Sequence, residues 1–217
     1  MGPGYHRLSS GEEGAVGFVV AVLRRGGVAA FPTETFYGLA ADPFQAQAVE
    51  QLLEAKGRSP GNPLPLIAPS YDFVVSLFPP LPGTARLLAE RFWPGPLTLA
   101  LPAPEGLHPA AVSRMGAGVR VPGSPLARSL AKEFGGLLTA TSANVSGFPP
   151  AVDPDEVEAA LSERIDCLLD GGRTSGGLPS TVIGLLEDQP VLIRRGAVSL
   201  EEIENVIGNS VLKARSL

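Results

Sequence analysis

The residues of this 217-residue sequence with the clearest chemical potential lie in four short polar segments, each next to an apolar run. These segments are residues 32–39, 56–62, 118–122 and 139–147. Lysine, arginine and small polar residues bind phosphate oxygens, whereas an arginine within a strand can pair with a carboxylate. The four segments together therefore indicate a site for anionic and small polar ligands.

Residues 32–39 directly follow a predicted buried strand, which is where α/β proteins commonly place ligand loops. Two hydroxyls and a carboxylate, from Thr33, Thr35 and Glu34, could orient a small polar substrate there. The alternative is an ordinary capped turn.

Lys56 and Arg58 flank Gly57 at the predicted end of a helix, and Asn62 follows shortly after. If the glycine lets both cations converge on one anion, lysine acts as a point charge and arginine as a two-pronged donor to phosphate oxygens. The alternative is that both cations only complement the helix dipole or are solvated.

Arg120 lies between Val119 and Val121 in a strand pattern, so its side chain either points to solvent or pairs with a bound carboxylate. In the fourth segment, Ser142 and Asn144 could bond phosphate or sugar oxygens, or could form an ordinary Asx or Ser turn.

Several catalytic and binding classes are excluded. No Gly-x-x-x-x-Gly-Lys-Ser/Thr loop is present, and His6 and His108 lie outside all four segments, which disfavours a histidine-based triad. Cys167 is the only cysteine.

The net charge of −5 and pI of about 5.1 give no global reason to bind nucleic acid or membranes, so any RNA contact must be local. Without a signal peptide or a spanning apolar run, the sequence predicts a cytoplasmic protein.

Apolar spacing and caps predict alternating helices and strands. A capping box at Ser10 and Glu13 opens the first predicted helix, and Asp42 with Pro43 opens the second, which ends near Gly57. Further helices are predicted at 71–78, 84–92, 125–134, 154–165 and 201–207, and strands at 28–31, 64–68, 97–101, 118–121, 137–141, 167–169, 181–186 and 191–194. This order indicates an α/β domain with a partly antiparallel sheet. We expect one domain over residues 10–207, an N-terminal extension over 1–9 and a flexible tail over 208–217.

The order and spacing of the segments resemble those of the YrdC family, whose signature combines Lys-x-Arg with a distant Ser-x-Asn, here Lys56/Arg58 and Ser142/Asn144. The similarity extends over roughly residues 10–205. It also includes residues 32–39, 92–98, 119–122 and 180–182 and the end strand that contains Arg194.

The resemblance implies a single-domain, twisted mixed sheet with helices around a large basic cavity. It implies that Lys56 and Arg58 are catalytic. The implied ATP ligands are Lys56, Arg58, Asn62, Ser142, Asn144 and Arg194, and the implied threonine ligands are Thr35, Arg120 and Ser180.

The implied reaction is the synthesis of threonylcarbamoyl-AMP and pyrophosphate from ATP, L-threonine and bicarbonate. The product would serve a tRNA threonylcarbamoyl-transferase machinery that modifies tRNA next to the anticodon. Mg²⁺ is expected with ATP, without a structural metal held by the protein. One alternative is a YciO-type RNA- or nucleotide-binding protein, and another is carbamoyl-adenylate chemistry like that of hydrogenase-maturation proteins, whose accessory segments this sequence lacks.

Four positions depart from the family pattern. Ser59 follows Lys-x-Arg where proline is usual, and Leu178-Pro179 precede Ser180 where Val-Glu is common. Ile67 stands where some members have a threonine-contacting histidine, and Pro150 replaces a serine often found near ATP. We expect these changes to affect substrate affinity more than the class of reaction.

Overall fold

The computed structural model describes residues 4–57 and 61–213. Within these ranges the chain forms seven α-helices and thirteen short strands. The helices are α1 (Ala15–Arg24), α2 (Ala46–Lys56), α3 (Tyr71–Leu77), α4 (Gly83–Phe92), α5 (Pro125–Phe134), α6 (Pro154–Leu161) and α7 (Leu200–Ile207). The strands are β1 (His6–Ser9), β2 (Ala29–Pro32), β3 (Tyr37–Ala40), β4 (Leu66–Ile67), β5 (Leu97–Leu101), β6 (Val112–Ser113), β7 (Gly116–Arg120), β8 (Leu138–Thr139), β9 (Thr141–Ser142), β10 (Cys167–Asp170), β11 (Thr181–Leu186), β12 (Gln189–Arg194) and β13 (Leu212–Lys213).

The strands form two mixed sheets. The five-stranded sheet has the order β1-β10-β2-β3-β9, with β1, β10 and β2 parallel and β3 antiparallel to both its neighbours. The eight-stranded sheet has the order β13-β12-β11-β5-β7-β4-β8, and β6 pairs with β7. The predicted mixed α/β fold is therefore confirmed, with its twisted strands divided between two sheets.

Two apolar clusters hold the elements together. Helices α1 and α5 pack on each other and against β10 and β2, and they bury Val19, Leu23 and Leu130 completely. The larger cluster joins the inner faces of α2 and α4 to both sheets through residues such as Leu52 and Leu88. Burial of a leucine of this kind contributes about 1.5–3 kcal/mol.

The structure confirms most of the predicted elements, and α5 shows why. Ser124 caps this helix by accepting a hydrogen bond from the Ala127 amide at 3.3 Å, and Pro125 occupies the first turn. Gly135 ends the helix in a left-handed conformation at φ 86°. A serine cap, a first-turn proline and a terminal glycine agree locally, so the predicted bounds of 125–134 match the observed helix.

The predicted starts of the first two helices are wrong. Helix α1 begins at Ala15 after Gly14, because the amide of Glu12 donates to the Ser9 carbonyl at 3.0 Å in a turn that replaces the expected capping box. The Asp42 carboxylate accepts from the Phe44 amide at 2.9 Å, so it caps a turn that precedes α2.

Other differences concern strands. The single strand predicted over 137–141 is divided: β8 pairs with β4 in one sheet, and β9 pairs with β3 in the other. Between them, the Ala140 amide donates to the Pro65 carbonyl at 2.8 Å. Helix α6 ends at Leu161, before the predicted 165.

The strands β1, β3, β6 and β13 were not predicted. Of these, β1 and β13 lie outside residues 10–207 and pair with β10 and β12. The domain limits stay a prediction. No helix in residues 4–57 or 61–213 is long and apolar enough to cross a membrane.

Candidate functional site

The first predicted segment forms a tight turn between two antiparallel strands, β2 and β3. The Thr33 hydroxyl donates to the Phe36 carbonyl at 2.7 Å and accepts from the Thr35 and Phe36 amides at 3.2 and 3.3 Å. Local hydrogen bonding thus gives the capped turn considered from sequence, and the turn carries Glu34 and Thr35.

Lys56 is buried at the last residue of α2, with only 2% of its surface exposed. Its Nζ donates to the carbonyl of Ser142, to the carbonyl of Asn144 at 2.9 Å and to Oδ1 of Asn144 at 3.3 Å. The Ser142 hydroxyl also donates to Oδ1 of Asn144 at 2.5 Å. Lys56 therefore joins the two halves of the Lys-x-Arg and Ser-x-Asn signature, and it is not a solvated charge at a helix end.

The same contacts shape the turn that follows β9. The Asn144 side-chain amide donates to the Val145 carbonyl at 3.1 Å and to the Phe148 carbonyl at 2.6 Å. The Ser146 amide donates back to the Lys56 carbonyl at 2.8 Å. We name Lys56, Ser142 and Asn144 the lysine cluster; it fixes this turn against the end of α2.

Arg120 ends strand β7, beside the fully buried Ile67 of β4. Its side chain is 10% exposed, and Nη1 donates to Oε1 of Glu34 in a short ion pair. The other oxygen of Glu34 accepts from the Ser124 amide at 3.3 Å. The side chain does not point to solvent; it is buried and pairs with a carboxylate of the chain itself, Glu34, where the sequence had offered pairing with a bound carboxylate.

Ser180 and Arg194 form a second contact in the eight-stranded sheet. Nη2 of Arg194 donates to the Ser180 carbonyl at 2.9 Å and to the Ser180 hydroxyl at 3.0 Å. The Ser180 hydroxyl is 2.9 Å from that of Thr98 on the adjacent β5. Gly196 permits this arrangement, because a Cβ there would collide with the backbone of Pro179 and Ser180.

The charge of Arg120 affects the pKa of Arg194. Desolvation lowers the pKa of Arg194, and the positive charge of Arg120 lowers it further. Arg120, Glu34, Ser180 and Arg194 therefore belong to one electrostatic environment, which we name the arginine cluster. Two cations and one carboxylate leave an excess positive charge there, which favours an anionic ligand.

The remaining predicted residues are placed as follows. Thr35 is half-buried in the turn beside Glu34, and its carbonyl accepts from the Gly176 amide at 2.7 Å. Asn62 is exposed between α2 and β4. Arg58 lies outside the described residues, as does Ser59, which differs from the family pattern. The ligand roles assigned to these residues and to both clusters stay predictions.

Sequence reasoning did not find the partner of Arg120 or the contact of Thr98 with Ser180. One signal could have indicated Glu34. An arginine within a strand needs a carboxylate partner, and Glu34 lies in another of the four polar segments. Two cavities, of about 490 and 290 Å³, are lined by other residues than the predicted ligands.

The chain is similar to named proteins over most of its length. The chain is 41% identical over 198 residues to a threonylcarbamoyl-AMP synthase of Pyrococcus abyssi, and 43% identical over 190 residues to one of Bacillus subtilis. These alignments cover 91% and 87% of the chain, but only 58% and 55% of the two relatives. The chain thus spans little more than half the length of these relatives.

Solved structures show the same fold. A crystal structure of P. abyssi Sua5 complexed with L-threonine superposes with a TM-score of 0.87 at 38% identity, covering 96% of this chain and 62% of that one. E. coli YciO superposes with a TM-score of 0.79 at 25% identity, covering 92% and 98%. A family model described as "Telomere recombination" and named for Sua5, YciO and YrdC matches residues 21–196. This chain belongs to the Sua5/YciO/YrdC family.

Proposed function

We propose that the chain is a nucleotidyltransferase that makes threonylcarbamoyl-AMP and pyrophosphate from ATP, L-threonine and bicarbonate. The observation that carries this proposal is the pairing of two distinct clusters, one suited to a phosphate-rich ligand and one suited to a carboxylate, in a chain 41–43% identical to threonylcarbamoyl-AMP synthases. The solved complex of a relative with L-threonine supports the amino acid as one substrate.

The chemistry needs positioning and charge neutralisation more than a covalent nucleophile. The threonine amine combines with bicarbonate to give a carbamate and water, and a carbamate oxygen then attacks the α-phosphorus of ATP. The bond between the α-phosphorus and the bridging oxygen breaks, and pyrophosphate leaves with the electron pair. Fixed donors that hold both reactants and balance the developing charge supply most of the rate enhancement in such transfers.

The arginine cluster is proposed to hold threonine. Arg120 would donate to the α-carboxylate, with Ser180 and Thr35 as neutral polar contacts around the amino acid. A planar guanidinium suits a two-oxygen ligand better than an ammonium does, since it donates two parallel hydrogen bonds.

The lysine cluster is proposed to hold ATP. Lys56 fixes the turn at residues 142–148, whose backbone and side chains would face the nucleotide, and Arg58, Asn62 and Arg194 would add contacts to it. Lys56 and Arg58 would neutralise charge during transfer.

Mg²⁺ is proposed to enter with ATP. In residues 4–57 and 61–213, no three or more His, Cys, Asp or Glu side chains are grouped to hold a metal ion. The side-chain oxygens of the lysine cluster are the neutral ones of Ser142 and Asn144, which fit an ion that takes most of its ligands from phosphates and water. Mg²⁺ would supply further neutralisation of phosphate charge.

The deciding experiment measures pyrophosphate release with ATP, threonine and bicarbonate, and with threonine or bicarbonate omitted in turn. We expect release to require both, with threonylcarbamoyl-AMP as the co-product. Equal release with ATP alone would contradict the proposal. A supply of this adenylate to a tRNA threonylcarbamoyl-transferase, in the cytoplasm, belongs to the same proposal.

The alternative is a YciO-type function, in which the positively charged residues of the two clusters bind RNA and threonylcarbamoyl-AMP synthesis is weak or absent. The 25% identity to YciO is well below the 41–43% to the synthases, which favours the synthase. Salt-sensitive RNA binding without threonine-dependent pyrophosphate release would favour the alternative instead.

A further inference from the structure

Glu34 forms an ion pair with Arg120 but has no role in the proposed mechanism. We propose that Glu34 is a positioning residue: it holds Arg120 by one N–H and leaves the rest of the guanidinium for the α-carboxylate of the amino-acid substrate. This inference rests on the proposed function, because it assigns a role in threonine recognition.

The first support is the number of donors. A guanidinium has five N–H donors, and burying them without acceptors is costly. The side chain of Arg120 is 10% exposed, yet within the described part of the chain its hydrogen bonds go only to Glu34. The planar guanidinium of Arg120 therefore has donors left for a further acceptor, and two parallel N–H groups suit a ligand with two oxygens.

The second support is access. Among the described residues, Tyr5 carries the only fully enclosed side-chain polar atom without a partner. The other N–H groups of Arg120 are therefore not fully enclosed by the protein.

The third support is that Glu34 is itself fixed. Its second oxygen accepts from the Ser124 amide at the N-terminus of α5, where the helix dipole favours a carboxylate. The side chain of Arg128 holds this loop by donating to the Pro122 and Gly123 carbonyls at 2.6 and 2.8 Å. Together with the capped turn at Thr33, these contacts make Glu34 a rigid support for Arg120.

The charges of Glu34, Arg120 and Arg194 agree with a positioning role for Glu34. Glu34 neutralises Arg120, and the nearby Arg194 supplies the positive charge that a further carboxylate would balance. If Glu34 instead blocked Arg120 until the substrate displaced it, removing its charge would strengthen threonine binding. The two roles therefore predict opposite changes.

The test uses the full chain and calorimetric titration with L-threonine, comparing wild type, Glu34→Gln, Arg120→Lys and the double variant. We expect Glu34→Gln to weaken threonine binding on the order of tenfold, the size of one lost charge-assisted hydrogen bond. Its effect should largely vanish when Arg120 is already lysine, since residues that act through one contact are not additive. ATP affinity without threonine should stay within about twofold in Glu34→Gln.

Glu158→Gln is the matched control, because it also removes a glutamate paired with an arginine, Arg7, at 2.7 Å on an exposed surface. Its threonine affinity should equal that of wild type. If Glu34→Gln does not fold, Glu34→Asp keeps the charge but shortens the reach, and the same loss of affinity is expected.

Unchanged or tighter threonine binding in folded Glu34→Gln, or additive effects in the double variant, would overturn this inference while leaving the proposed function intact. Absence of threonine binding in the wild type would overturn both.

Discussion

Lys56 of the lysine cluster and Arg120 of the arginine cluster differ in the number of acceptors to which they donate. Lys56 donates to the carbonyls of Ser142 and Asn144 and to the side-chain oxygen of Asn144. Arg120 donates to a single acceptor, on Glu34. Both side chains are at least nine-tenths buried, so exposure does not explain the difference.

This contrast separates two uses of a buried charge. Lys56 stabilises the shape of a turn, so its loss should affect folding as well as nucleotide binding. Arg120 keeps donors in reserve, so its loss should affect a ligand more than the fold. The predictions below test this difference, from the largest effect to the smallest.

Lys56→Met should have the largest effect. Methionine keeps the apolar stem but leaves the buried carbonyls of Ser142 and Asn144 without their donor. We expect the free energy of unfolding to fall by about 3 kcal/mol, since hydrogen bonds to charged groups contribute about 1.5–3 kcal/mol each and do not add fully. Urea denaturation measures this change. A loss of ATP affinity with unchanged stability would show that Lys56 is only a ligand.

Arg58→Ala and Ser142→Ala should each weaken ATP binding by about 1.5–3 kcal/mol, because each removes a charge-assisted contact with phosphate. Ser142→Ala also removes the hydroxyl that donates to Asn144 at 2.5 Å, which is a local contact. Calorimetry with ATP alone is the measurement, with Glu158→Gln as control. Unchanged nucleotide affinity in both variants would mean that the cluster does not hold ATP.

Arg120→Lys should affect only the other half of the site. Lysine keeps the charge but loses the planar pair of donors. We expect the apparent threonine constant to rise about tenfold, while ATP affinity without threonine and the unfolding free energy change little. Loss of ATP binding in the folded variant would place Arg120 in the nucleotide half and remove the contrast.

The sequence predicted the elements whose signals are local. Helix α5 was predicted with its observed bounds because its cap, proline and terminal glycine lie within a dozen residues. The start of α2 was missed because Asp42 can cap a turn as readily as a helix, and only tertiary packing decides between them. The strand over 137–141 looked continuous because a change of sheet at Ala140 leaves no mark in apolar spacing.

The site shows the same limit. The grouping of Lys56 with Ser142 and Asn144 followed from a family signature, and the structure shows these residues in contact. The pairing of Glu34 with Arg120 joins residues 86 positions apart, one in a turn and one at the end of β7, and no periodicity encodes such a contact. Chemistry supplied only the expectation that Arg120 needs an anion, and the nearest one comes from the chain itself.

Tyr37→Phe should have the smallest effect and tests a contact outside both clusters. The Tyr37 carbonyl accepts from the Ala143 amide at 2.8 Å on the lysine side, and its hydroxyl donates to the Gly172 carbonyl at 2.7 Å. Phenylalanine keeps the backbone contact and loses the hydroxyl, which also accepts from the Gly171 amide at 3.3 Å. We expect a loss of about 1 kcal/mol in unfolding free energy at pH 7, with threonine and ATP affinities nearly unchanged.

The pH dependence of that loss identifies its cause. The pKa of the Tyr37 phenol is raised from 10.0 to about 12, chiefly by burial and also by the charge of Asp170, against a backbone hydrogen bond from Gly171 that lowers it. The folded state therefore holds the phenolic proton more tightly than the unfolded chain, so this contribution is complete below pH 10 and declines as the pH rises toward 12. Tyr37→Phe lacks it, and the difference in unfolding free energy between wild type and variant should shrink over that range. Burial also raises the pKa of the Cys167 thiol to about 12, but both proteins share that decline and it cancels. A difference that stays constant from pH 8 to pH 12 would mean that the hydroxyl is not protected by the fold, and that the link between Tyr37 and Gly172 is looser than the structure shows.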